Sequence, residues 1–252
     1  METLETEGFM IKGILFDVDD TLYDQTVPFE ESCELFFGGL QDILFKSISL
    51  TDLFVRFREK SDEVFSASQN GEITMQDMYI YRIREALRDF YIQISEEEAL
   101  LFQKIYQDKQ QHIHLSPVME KIMAFCTNRV PVGIITNGPS QHQYDKIMAL
   151  GLLKWVKEEN IFISGDLNME KPDKKIFDFA ARKMKLEPAA ACYIGDSYSN
   201  DIIGAKQAGW KTVWFNRRNR VIPANGLQSE WTAFTEQQLY QIVNGIERQP
   251  QE

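Results

Sequence analysis

Ile14-Leu15-Phe16 is an apolar run with no polar interruption, and it reads as a strand buried on both faces of a parallel sheet. Asp17, Asp19, Asp20 and Thr21 follow it at once. Carboxylates at the end of a buried strand repel one another and are costly to desolvate, so something must offset them. In open α/β sheets this place, just past the carboxyl end of a strand, is where ligands bind. A divalent cation is a suitable offset, because hard carboxylate and carbonyl oxygens suit Mg²⁺.

After Asp24 the pattern turns helical. Pro28 to Phe37, Leu50 to Phe65, Thr74 to Phe90 and Ser95 to Ile113 each place apolar residues three and four apart. Ser95 is an N-cap with acids in the first turn behind it, and Asn70-Gly71 is a turn between helices. From Ser116-Pro117, a helix start, strands and helices alternate. The strands are Val132 to Ile135, Ile161 to Ser164, Ala191 to Ile194 and Thr212 to Phe215. The helices are Ser140 to Leu150, Asp173 to Met184 and Ser199 to Ala208, with glycines at 151 and 209 as stops. Such alternation implies β-α-β units and an α/β fold with a doubly wound parallel sheet. The expected organisation is a core of residues 1–24 and 115–252 carrying an inserted helical domain of residues 25–114. The tail beyond residue 215 reads as a polar loop, a short strand near Trp231 and Thr232, and a last amphipathic helix, Thr235 to Ile246.

Each later core strand ends on polar residues. Thr136-Asn137-Gly138 offers a hydroxyl, an amide and a relaxed turn; it suits phosphoryl oxygens, or simply a hydrogen-bonded turn. Lys171-Pro172 lies a loop beyond the third strand. Gly195-Asp196-Ser197-Tyr198-Ser199-Asn200-Asp201 places two acids five apart at a helix start, where they can share a cation or cap the helix.

Taken in order, Asp17-Val-Asp19-Asp20-Thr21, Thr136-Asn137-Gly138, Glu170-Lys171-Pro172-Asp173 and Gly195 to Asp201 resemble the four motifs of the haloacid dehalogenase (HAD) superfamily. The helical insert falls where that family carries its C1-type cap, on a Rossmann-like core. The resemblance implies a phosphatase working through an aspartyl-phosphate. Asp17 would be the nucleophile, and Asp19 would protonate the leaving oxygen and then activate water. Mg²⁺ would bind Asp17, the backbone carbonyl of Asp19, and Asp196, with Asp201 in support. Thr136, Asn137 and Lys171 would hold the phosphoryl oxygens, and cap closure would exclude water. A carboxylate about 4 Å from one phosphate charge is opposed by roughly 4 kcal/mol at an effective dielectric of 20, which is why the ion and the lysine are required. Asp19 points to phosphate esters, since family members that cleave carbon–halogen bonds or phosphonates lack an acid there. The chain looks most like capped small-metabolite phosphatases, including the nucleoside-monophosphate and N-acylneuraminate-phosphate groups. A phosphomutase of the same superfamily, and a non-enzymatic phospho-acceptor module, are the competing readings.

The net charge of −11 argues against a nucleic-acid polymer as partner. No apolar run reaches membrane-spanning length, and Met1 to Gly8 lacks the regions of a signal peptide. Cys33, Cys126 and Cys192 are scattered and read as reduced thiols of a cytoplasmic protein. The partner expected is a small phosphorylated metabolite, selected by insert loops around 24–29 and 66–73; oligomeric state is not legible. His112 and His114 read as surface residues, Arg217, Arg218 and Arg220 as a solvated loop with a supporting role near the anionic site as the alternative, and Tyr79 and Arg82 as core and surface positions of the insert.

Overall fold

The computed structural model describes residues 10–38, 48–222 and 226–246; the amino-terminal segment from Met1 to Gly8 lies outside them. The chain forms two compact units, residues 1–24 with 114–252, and residues 25–113.

The first unit is built on a six-stranded sheet, all parallel, in the order β3-β2-β1-β4-β5-β6. Its strands are β1 (Gly13–Phe16), β2 (Val132–Thr136), β3 (Ile161–Ile163), β4 (Ala191–Gly195), β5 (Lys211–Phe215) and β6 (Trp231–Ala233). Every residue of β1, β2 and β4 is buried, as unbroken apolar runs in a covered parallel sheet should be. Chain order runs outward through β2 and β3, then returns to the other side of β1 and runs through β4 to β6. The reversal between β1 and β4 is a topological switch point, the place where ligands bind in open α/β sheets.

The second unit holds α1 (Thr26–Phe37), α2 (Leu50–Gln69), α3 (Met75–Arg88) and α4 (Glu96–Gln110). Thr74 and Ser95 cap α3 and α4, each in a reciprocal capping box with an acid three residues on. Phe29, Phe57, Phe102 and Tyr106 interlock at the centre, with Phe29 edge-on to Phe102 at 5.7 Å and Phe57 edge-on to Tyr106 at 5.6 Å.

The remaining helices surround the sheet: α5 (Pro117–Thr127), α6 (Ser140–Ala149), α7 (Ser164–Leu167), α8 (Lys174–Met184), α9 (Ile203–Gln207) and α10 (Glu236–Ile246). Ser116 caps α5 with Pro117 at its first position. Ile176, Phe177 and Ala180 of α8 and Ala205 of α9 pack on Leu15, Ile135 and Tyr193 of the sheet. The helix expected from Ser199 departs from expectation, because residues Tyr198–Ile202 form a wider π-turn ahead of α9. Ser197 caps it by accepting from Asn200 N, while Ser197 N donates to Asp201 Oδ2 at 2.9 Å. Such turns recur at functional sites.

Candidate active site

β1 and β4 run in register, Phe16 beside Ile194, and Asp17 N donates to Ile194 O at 2.9 Å. That bond carries the pairing one residue past β1, so the first acid is held at the switch point. Nζ of Lys171 donates to Asp17 Oδ1 at 2.6 Å, Asp201 Oδ1 at 2.7 Å and Tyr193 OH at 3.0 Å. The Tyr193 hydroxyl in turn donates to Ile135 O at 2.7 Å. The ammonium is thus fixed from the end of β1, from β4 and from the π-turn beyond it. Asp196 completes the group: one carboxylate oxygen from each of Asp17, Asp196 and Asp201 lies within 4.8 Å of the others.

The electrostatics describe a place short of positive charge. Burial pushes the Asp17 carboxyl up to about 7, with Asp201 and Asp19 adding to the rise and Lys171 opposing it. Asp196 is raised well above the ordinary range by burial and then by Asp20, Asp201 and Asp17. Burial alone would lower Lys171, but Asp17 and Asp201 outweigh it and hold the ammonium well above its usual value. One lysine does not balance this many buried acids, so these residues fit a further cation, and an all-oxygen donor set suits Mg²⁺. Among the described residues this is the group of acids that could hold a metal.

Thr136 and Asn137 lie at the end of β2, as the motif spacing requires, yet their side chains already have internal partners. Thr136 Oγ1 donates to Gln143 Oε1 at 3.1 Å. Asn137 Nδ2 donates to Lys171 O at 2.8 Å and its Oδ1 accepts from Lys171 N at 2.9 Å. This reciprocal pair ties the second motif to the third and sets the lysine's backbone.

Asp19 has partners that no motif announces. Tyr23 OH donates to its Oδ1 at 2.6 Å, Gln143 Nε2 to its Oδ2 at 3.0 Å, and Lys146 Nζ to both oxygens, at 2.7 and 2.8 Å. Gln143 and Lys146 are buried. A signal for them exists: positions 143, 146, 147 and 150 share one helix face with Ile147 and Leu150, and that face is the buried one.

The loop after β5 corrects the reading of its arginines. Arg218 is no solvated side chain: Nε donates to Asp20 Oδ2 at 3.0 Å, and Nη2 reaches both Asp20 and Asp24. Asp20 is buried with a left-handed backbone (φ 59°), and the guanidinium balances its charge beside Asp196. Arg217 pairs with Glu236 at 3.2 Å, while Arg220 is exposed. Arg82 is also buried rather than a surface position; it donates to Gln103 Oε1 at 2.6 Å and lies over the rings of Phe57 and Tyr79. Burial lowers its guanidinium to about 10. His112 and His114 are exposed. Among the described residues no helix is long and apolar enough to cross a membrane.

Residues 11–209 match the family of haloacid dehalogenase-like hydrolases. The chain is 26% identical over 225 residues to the glyceraldehyde 3-phosphate phosphatase of Methanopyrus kandleri, covering 82% of this chain and 85% of the relative. It is 26% identical over 233 residues to the pyrimidine 5'-nucleotidase YjjG of Escherichia coli, covering 91% and 96%. The crystal structure of the HAD-hydrolase YfnB of Bacillus subtilis, bound to magnesium, matches with a TM-score of 0.69 at 23% identity over 93% of this chain and 99% of that one. That last likeness is one of fold.

Proposed function

Since the chain belongs to the haloacid dehalogenase-like hydrolases, we propose that it is a Mg²⁺-dependent phosphatase acting on a small phosphorylated metabolite through an aspartyl-phosphate at Asp17. The observation that carries this reading is the Asp17–Lys171–Asp201 chain of contacts, at 2.6 and 2.7 Å, with Asp196 alongside. On this reading Asp17 is the nucleophile, Lys171 the cation for the phosphoryl oxygens, and Asp17 and Asp196 donors to the metal.

In the proposed reaction Asp17 Oδ attacks phosphorus as the ester bond breaks, and Asp19 gives its proton to the departing oxygen. A water then loses a proton to Asp19 while its oxygen attacks phosphorus, breaking the bond to Asp17 and releasing phosphate. Lys171 holds the phosphoryl oxygens. Thr136 and Asn137 assist at the end of β2, the Thr136 hydroxyl turning from Gln143 toward the phosphoryl group. Asp17, Asp196 and the backbone carbonyl of Asp19 would hold the ion, which supplies positive charge to the phosphoryl group when bound. Both oxygens of Asp201 already accept hydrogen bonds, from Lys171 and from Ser197 N, so it supports the ligands from behind. The relatives named as acting on glyceraldehyde 3-phosphate and pyrimidine nucleotides support a small phosphomonoester as the substrate class.

A panel of nucleoside monophosphates and sugar phosphates, assayed in Mg²⁺ with full product analysis, tests the reading. Free phosphate is expected, and Asp17→Asn or removal of the ion by EDTA should abolish its release. An isomeric sugar phosphate with no free phosphate would indicate a mutase. A long-lived phosphoprotein that releases nothing would indicate an acceptor module.

A further inference from the structure

The acid knot contains a second buried lysine whose place the four motifs do not explain. Lys146 is buried, and its ammonium bridges both oxygens of Asp19 at 2.7 and 2.8 Å. Gln143, one turn earlier on the same face of α6, donates to Oδ2 and to Asn137 O, each at 3.0 Å, and accepts from Thr136 Oγ1. Tyr23 donates to Oδ1 at 2.6 Å. Asp19 therefore sits in a bracket of fixed donors that is also bonded to the turn after β2.

The need for a bracket follows from charge. As a carboxylate Asp19 repels Asp17, whose carboxyl it helps to raise. An unrestrained Asp19 carboxylate would turn toward solvent, away from the place where the leaving oxygen must be protonated. Proton transfer demands a donor and acceptor within hydrogen-bond reach, and misplacement by an ångström or so is costly.

We propose that Lys146, with Gln143 and Tyr23, is the positioning device for the general acid and base Asp19, and that Gln143 couples that orientation to the Thr136–Asn137 turn. The inference rests on the phosphatase reading. Lys146 bonds to Asp19 and acts on the reaction through it, not on the phosphoryl group.

Two esters that transfer the same phosphoryl group separate positioning from a structural role. Phenyl phosphate expels a poor leaving group that needs the proton, whereas 2,4-dinitrophenyl phosphate expels one that does not. With wild type, Asp19→Asn, Lys146→Met and Tyr23→Phe in Mg²⁺, kcat/KM is measured on both. For Asp19→Asn the phenyl ester should fall about 100-fold and the dinitrophenyl ester far less, a general-acid effect of ordinary size. Lys146→Met should show the same selectivity, about 10-fold or more on the phenyl ester and within about 3-fold on the other. Tyr23→Phe, which removes one hydrogen bond and no charge, should be selective in the same direction, and it carries the test if Lys146→Met does not fold. Equal losses on both esters, or no loss on the phenyl ester, overturn the bracket. A wild-type protein that hydrolyses neither ester instead overturns the phosphatase reading, and an Asp19→Asn variant without selectivity overturns the general-acid role of Asp19.

Discussion

A β-carbon on Gly195 would lie 2.4 Å from Oδ2 of Asp201. The last residue of β4 is thus a glycine because the buried carboxylate bonded to Lys171 occupies the space of a side chain. Gly195→Ala must push Asp201 aside, and overpacking of this kind costs about 1–3 kcal/mol. The larger effect falls on the site. With Asp201 displaced, the Mg²⁺ concentration for half-maximal activity should rise about 10- to 100-fold, the usual range when a supporting carboxylate is disturbed. Metal titration of the activity, beside a thermal melt, checks both effects.

Lys171→Met removes the cation that Asp17 and Asp201 share. Leaving a buried charge without its partner costs about 3–5 kcal/mol. In an Asp17→Asn background the same change should cost less, since fewer carboxylates are stranded. A double-mutant cycle by urea unfolding in EDTA should give a coupling of about 1–3 kcal/mol between the two positions. Additive costs would mean that the contact contributes little.

Glu230 fastens β5 away from the site. It accepts from Lys206 Nζ at 2.7 Å, and from Thr212 N at 2.8 Å and Thr212 Oγ1 at 3.1 Å. Burial pushes its carboxyl up, but Lys206 and the N–H of Thr212 outweigh burial and hold it below the ordinary 4.5. A carboxyl lowered in the folded state contributes stability that is present above its unfolded value and is lost as pH falls through the folded one. Glu230→Gln should therefore cost about 1–2 kcal/mol at pH 7. The gap to wild type should close on acidification below about pH 4.5, as read by denaturant melts across pH.

Much of the fold was legible because the strands of a covered parallel sheet are apolar on both faces, so Ile14 to Phe16 and Ala191 to Ile194 stand out without alternation. The acids were legible for the same reason: polar residues directly after such runs mark the strand ends where ligands bind in open sheets. Gln143 and Lys146 were marked only by sharing a helix face with Ile147 and Leu150, a weak signal because polar side chains on an amphipathic helix ordinarily mark its wet face. Here that face is buried, and Asp19, with Thr136 and Asn137 in the case of Gln143, supplies partners that make the burial favourable. Arg218 was misread for a related reason. A run of arginines in a polar loop looks solvated until the backbone returns it to Asp20 and Asp24.

The measurement that bears most directly on the account is a peptide map of the protein acid-quenched during turnover of 2,4-dinitrophenyl phosphate in Mg²⁺. The Asp19→Asn variant should carry one phosphoryl group on the peptide containing Asp17, because the bond to Asp17 forms with this ester but its hydrolysis lacks a base. Phosphate release that proceeds with no such adduct, or an adduct on any other residue, would contradict the assignment of Asp17.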